Sequence, residues 1–176
     1  MSLIATIQRL LERKEIEYLP HGSDALKLVS LNPDDVYGYV QVHEEDRTII
    51  INTAAPLRAP HDKRLQLAEL LARANWHIPF GNLQINWNSG LITFETSVIL
   101  GNSDCHPDLF YALLIQNWWE MDRWFPAIEA VIFDNVFPED ATNMILRQRK
   151  PAAEHGRNSD GTFGRRIYDV QHGSMN

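Results

Sequence analysis

Leu3, Ile4, Ile7, Leu10 and Leu11 recur at three- and four-residue spacing, which predicts an amphipathic helix over residues 3–15. The pattern then shortens. Residues 25–31 (Ala-Leu-Lys-Leu-Val-Ser-Leu) read as a strand stopped by Asn32-Pro33-Asp34-Asp35, all turn-favouring residue types. In 36–43, Val36, Gly38, Val40 and Val42 alternate with Tyr37, Tyr39, Gln41 and His43, the two-residue period of a strand with one buried face. Glu44-Glu45-Asp46 is a solvated acidic turn before a third strand, Thr48 to Thr53, and the three strands form a meander. Pro56 and Pro60 mark 54–60 as a connection, because proline cannot donate to a ladder.

A second helix is expected from His61 to Asn75, with Leu65, Ala68, Leu71 and Ala72 on one face and Leu67, Leu70 and Ala74 beside it. Asn75 is its stop, since asparagine tolerates the left-handed conformation found at helix ends. Residues 82–100 carry the clearest pattern. Leu83, Ile85 and Trp87 alternate with Asn82, Gln84, Asn86 and Asn88; after Asn88-Ser89-Gly90, the residues Ile92, Phe94, Val98 and Leu100 alternate with polar ones. This is a β-hairpin. A third helix starts at Pro107, with Asp104 or His106 as N-cap, and runs to Arg123 before Pro126 breaks it. Short helical segments follow at 127–133 and 138–148. The element order α-β-β-β-α-β-β-α, with no βαβ alternation, predicts an α+β fold: an antiparallel five-stranded sheet packed against helices.

Composition places the boundary of this domain at residue 148. Beyond it the chain is rich in Gly, Ser, Asn, His and Arg, and residues 149–176 are expected to be a disordered basic tail. The whole chain carries −7; from Arg147 onward six basic residues face three acidic ones, +3, which leaves −10 for residues 1–146. An acidic body repels phosphate backbones, so a nucleic-acid partner is not expected. The longest apolar stretch, Leu109 to Trp119, is interrupted by Gln116 and Asn117 and is too short to cross a bilayer. With no signal-peptide pattern and a single cysteine, the expected location is cytoplasmic.

Catalytic chemistry finds little support. The seven histidines include no i, i+4 pair and none lies near a second cysteine, so no metal site and no cofactor are expected. Cys105-His106 invites a nucleophile reading, and a thiol at a helix N-terminus can be activated. Side chains adjacent in sequence point apart, however, which favours a helix-entry role. Neither a glycine-rich phosphate loop nor Gly-x-Ser-x-Gly is present. No catalytic residue is therefore assigned.

The helix from 107 to 123 is different. At 100° per residue, Phe110, Met121, Leu114 and Trp118 fill roughly 80°, and Tyr111, Ile115 and Trp119 extend the apolar arc to roughly 180°, opposite Gln116, Asn117 and Glu120. A stripe of about 100° suffices to meet one core. Either the segments after Pro126 fold back over Tyr111, Ile115 and Trp119, or these three bind a partner or a second copy.

The span Leu67 to Phe133 resembles the YbjN-like family of bacterial sensory transduction regulators. The likeness lies in a helix ending at Asn75, a small residue at Gly81, the hairpin at Asn88-Ser89-Gly90 and a long helix with Asp122 shortly before Pro126. The order of elements from about 3 to 134 is similar to that of type III secretion chaperones. The resemblance implies a non-enzymatic protein-interaction module, often dimeric, and supplies no catalytic residue. The expectation is thus a chaperone-like or regulatory homodimer that holds a segment of a partner protein. The alternative is a small-ligand sensor or cryptic enzyme with a pocket between sheet and helix. Phe163, Ile167, Tyr168 and Val170, interleaved with Arg165 and Arg166, form either a partner-binding motif or part of a solubilising tail.

Overall fold

The structure, a computed structural model, describes residues 2–29 and 37–147. The turn at 32–35, residues 30, 31 and Val36 of the expected strands, and the tail at 149–176 lie outside the described residues.

Helix α1 (Leu3–Arg13) buries Leu3, Ile7, Leu10 and Leu11, the stripe its spacing predicts. It ends two residues short of the expected boundary in a Schellman turn: Glu15 donates to the Glu12 carbonyl and Ile16 to that of Leu11. Glu15 holds the left-handed position at φ 55°, where glycine is usual. A short strand, β1 (Tyr18–Pro20), follows, then β2 (Ala25–Leu28), β3 (Tyr37–His43), β4 (Thr48–Arg58), α2 (Arg64–Asn75), β5 (Asn82–Ile85), β6 (Leu91–Ile99), α3 (Pro107–Phe133) and α4 (Pro138–Arg147). The sheet is antiparallel with order β1-β2-β3-β4-β6-β5. It has six strands, not five. The extra one, β1, has only three residues and no alternation of polarity, so periodicity could not reveal it.

Two boundaries move because proline is tolerated where it was expected to end an element. β4 runs past Thr53 to Arg58 through Pro56. Its register with β6 shifts between Ala54 and Arg58, so Pro56 lies at an irregularity of that pairing, where proline is tolerated. α3 continues through Pro126 to Phe133. Proline removes one intrahelical bond, that to the carbonyl of Asp122. Asp122 is exposed and Pro126 is half-buried on the same side of the helix, so this carbonyl is left towards water.

The helices cover one face of the sheet in two apolar clusters. One joins α1 with Leu26, Leu28, Val40, Val42, Ile49, Ile51 and the start of α3 (Phe110, Leu113, Leu114). The other joins α2 and α4 with Leu83, Ile92, Phe94 and the later part of α3 (Met121, Trp124, Ile128, Val131). Each fully buried side chain of this size contributes about 1.5–3 kcal/mol. In the hairpin, Gly90 takes φ 71° as its turn requires, and its Cβ position would fall 2.4 Å from the Ala59 carbonyl oxygen. Trp87, expected on the inward row, lies in the turn and is exposed.

Candidate functional site

The 27-residue helix α3 spans both clusters, and its orientation is set by a polar group. Asn117, fully buried, lies between Leu114 of one cluster and Met121 of the other. Its Nδ2 lies 2.7 Å from the Ile51 carbonyl, 3.1 Å from Thr96 Oγ1 and 3.2 Å from the Phe94 carbonyl, and Thr53 Oγ1 donates to its Oδ1. The side-chain amide thus joins β4 to β6 from the helix side. Glu120, also buried, accepts from Gln116 Nε2 at 2.9 Å and lies 3.5 Å from Arg123 Nη1. Leaving such a buried amide unpaired would cost about 1–3 kcal/mol.

The consequence is a rotation. Asn117 and Glu120, expected opposite the apolar arc and hence towards water, are buried instead, Asn117 against the sheet, which turns the buried side by roughly 100° from the middle of that arc. Apolar side chains are thereby carried outward. Ile115 is 39% exposed, Trp119 is half-buried with the Arg123 guanidinium 5.3 Å from its ring centroid, and Phe133 is 65% exposed further along the helix.

The three expected binding residues are therefore placed differently from one another. Tyr111 turns towards α1: its hydroxyl donates to the Leu10 carbonyl at 2.7 Å, and Lys14 Nζ lies 5.3 Å from its ring centroid. Burial raises its phenol pKa, with Arg13 opposing. Ile115 and Trp119 lie one turn apart on the outward side. The segment after Pro126 does not fold back over them, because it is the continuation of α3, and α4 buries Ala141 and Ile145 in the cluster around α2.

Other polar residues play parts that periodicity did not show. Glu44, assigned to a solvated turn, caps α1: its carboxylate accepts from the N–H groups of Leu3 at 2.9 Å and Ile4 at 3.0 Å, and these bonds hold its pKa below the ordinary value. Asn75 ends α2 without taking a left-handed backbone. Its side chain pairs with the main chain of Leu83, accepting at 2.8 Å and donating at 3.0 Å, as a neighbouring strand would. His106, one of the two expected caps, accepts from the Asp108 N–H at 3.3 Å.

Cys105 is buried and its thiol pKa is raised by that burial, with Arg47 opposing; the thiolate needed for nucleophilic attack is disfavoured. Among the described residues no group of three or more His, Cys, Asp or Glu is placed to hold a metal ion, and no helix is long and apolar enough to cross a membrane. Asn117, Thr53 and Thr96 occupy the space between α3 and the sheet centre. One surface groove, of about 330 Å³, lies instead between α2 and α4, beside Arg73, Trp76 and Glu139.

Two solved structures are similar in fold. The crystal structure of YbjN, "a putative transcription regulator from E. coli", aligns with TM-score 0.54 and 17% identity, covering 67% of this chain and 84% of that one. A chain of the ExsC-ExsE complex aligns with TM-score 0.50 and 13% identity, covering 70% of this chain and 94% of that one. Both likenesses bear out the expected α+β architecture. No curated protein matches the sequence. A family model does: the one described as "Putative bacterial sensory transduction regulator" matches residues 3–130, and the chain belongs to the YbjN family.

Proposed function

We propose that the protein is a non-enzymatic, cytoplasmic protein-binding module, regulatory or chaperone-like, that works as a homodimer and holds a segment of a partner protein. The observation that carries this reading is the orientation of α3. Asn117 and Glu120 take buried positions among the apolar core residues of the helix, while Ile115 and Trp119 stand outward with Tyr111 at their margin. Trp and large aliphatic side chains turned outward on a helix whose inward side is already filled suit contact with another chain. Trp with an Arg beside it is a frequent anchor of protein interfaces. The family description as a regulator and the fold shared with a chain of a two-protein complex agree with it.

Trp119→Asp tests the reading. Sedimentation should show a dimer for the unsubstituted protein and a shift of at least about tenfold towards monomer for the variant, equivalent to about 1.4 kcal/mol. Circular dichroism should stay unchanged. A variant that unfolds would make Trp119 part of the core, and one that leaves self-association unaltered would remove this face from the interface.

A further inference from the structure

Arg58, Lys63 and Arg64 lie where β4 gives way to α2, beside the hairpin turn at 86–90. Arg58 donates from Nη1 to the Ser89 carbonyl at 3.4 Å. Arg64 donates from Nη1 to the Trp87 carbonyl and from Nε to that of Ala59 at 3.3 Å. Lys63 Nζ donates to the side-chain oxygens of Gln66 and Asn135. Every one of these acceptors is neutral. None of the three cations has a carboxylate within 4.0 Å among the described residues. Asp62 is the one carboxylate in the stretches 58–64 and 86–90, which are therefore basic within a body of −10.

The turn that anchors the two guanidinium groups is itself fixed. Asn86 Oδ1 accepts from the N–H groups of Asn88 at 3.1 Å and Ser89 at 2.9 Å, and the Gly90 carbonyl accepts from Ala59. On this turn Trp87 is 51% exposed, and Leu65, next to Arg64, is 75% exposed. Cations already held in place beside an exposed indole suit a ligand that is both anionic and apolar. The anchoring carbonyls are two residues apart, within about 7 Å along the chain. Alternate side chains on one side of an extended segment have nearly that spacing, about 6.6–6.8 Å. Fields fade within about 8 Å at physiological ionic strength, so distant carboxylates of the body do not override the local cations. We propose that Arg58, Arg64 and Trp87 hold an acidic segment of a partner protein. Two alternate residues of that segment offer carboxylates to the arginines, and the next residue on the same side offers an apolar side chain to Trp87. This rests on the partner-holding part of the reading above, and not on self-association through α3.

Fluorescence anisotropy of a labelled synthetic peptide, Ser-Glu-Ser-Glu-Ser-Leu-Ser, titrated with the full chain tests this. The unsubstituted protein should bind it at least about tenfold more tightly than the counterpart with glutamine for glutamate. Arg58→Gln/Arg64→Gln should lose about that factor while circular dichroism stays unchanged. If that variant unfolds, Trp87→Ala, at an exposed position, decides instead, with an expected loss of about fivefold or more. Trp119→Asp should leave peptide binding as it is, so failure of the dimer reading and failure of this one show separately. Equal binding by the unsubstituted and two-arginine variants, or of the two peptides, would overturn the proposal. So would self-association weakened by Arg58→Gln/Arg64→Gln, which would make the occupant a second copy. Arginine-dependent binding to phosphatidylglycerol vesicles without peptide binding would overturn it too, in favour of a membrane surface.

Discussion

Asn117 shows how one side chain can set the direction of a whole helix. An amide in a buried position must find partners for both its ends, and only a rotation that faces the sheet centre gives it Thr53, Thr96 and two carbonyls. The hydrophobic pattern of α3, read alone, points elsewhere, because a periodicity argument treats every polar residue as solvent-seeking. The visible sign was the pair Gln116-Asn117 inside the longest apolar run. Glu44 was less legible: it sits in an acidic turn, and its role as cap depends on α1 lying over a strand end 40 residues away in sequence. Its depressed pKa has a pH consequence. A carboxyl lowered in the folded state contributes stability that is fully present above its unfolded value of about 4.3 and is lost as pH falls through the folded value. Glu44→Gln should lower stability at neutral pH by about 0.5–1 kcal/mol, the range of a helix cap. The loss should shrink as pH falls through the folded value and vanish once both side chains are uncharged. Thermal melts in a series from pH 7 down through the acid range check this, and a loss that stays constant would assign the effect to packing.

Among elements, α1, β3 and the hairpin were legible because each has a single unbroken period and a turn at its end. The failures all concern segments whose tertiary setting overrules a local rule. β4 carries Pro56 where its register with β6 shifts, α3 carries Pro126 on its outward side, and β1 has too few residues to show a period. The uninterrupted α3 matters for the site: a helix ending at Arg123 would free the following segment to cover Ile115 and Trp119. Continuation through Pro126 leaves one intrahelical bond unmade, at a solvent-facing position where water can substitute for it. Pro126→Ala should therefore stabilise the protein by about 1–2 kcal/mol, less than the roughly 3 kcal/mol typical of a fully internal helix proline. Urea unfolding measures it, and a variant of lower stability would show that the proline ring is needed for packing.

At the scale of the molecule, the sheet has one covered face holding two apolar clusters, with Asn117 between them and α3 tying them together. The residues of opposite parity, such as Tyr39, Asn52 and Glu95, make up the other face as a mostly polar row. Exposed apolar side chains are dispersed over the surface, with Leu65, Trp76, Ile99 and Phe137 away from α3 and Ile115 and Phe133 on it. The outward placement of Ile115 beside Trp119 on α3 is what supports binding as the reading proposed for this fold. Its central claim is that neighbouring apolar residues of α3 serve opposite purposes, Leu114 within the core and Ile115 at an interface. Sedimentation and circular dichroism of Leu114→Asp and Ile115→Asp, measured side by side, test it most directly. Leu114→Asp should unfold the protein, while Ile115→Asp should keep its fold and lose self-association. An Ile115→Asp protein that unfolds, or that remains as associated as the unsubstituted chain, would contradict the account.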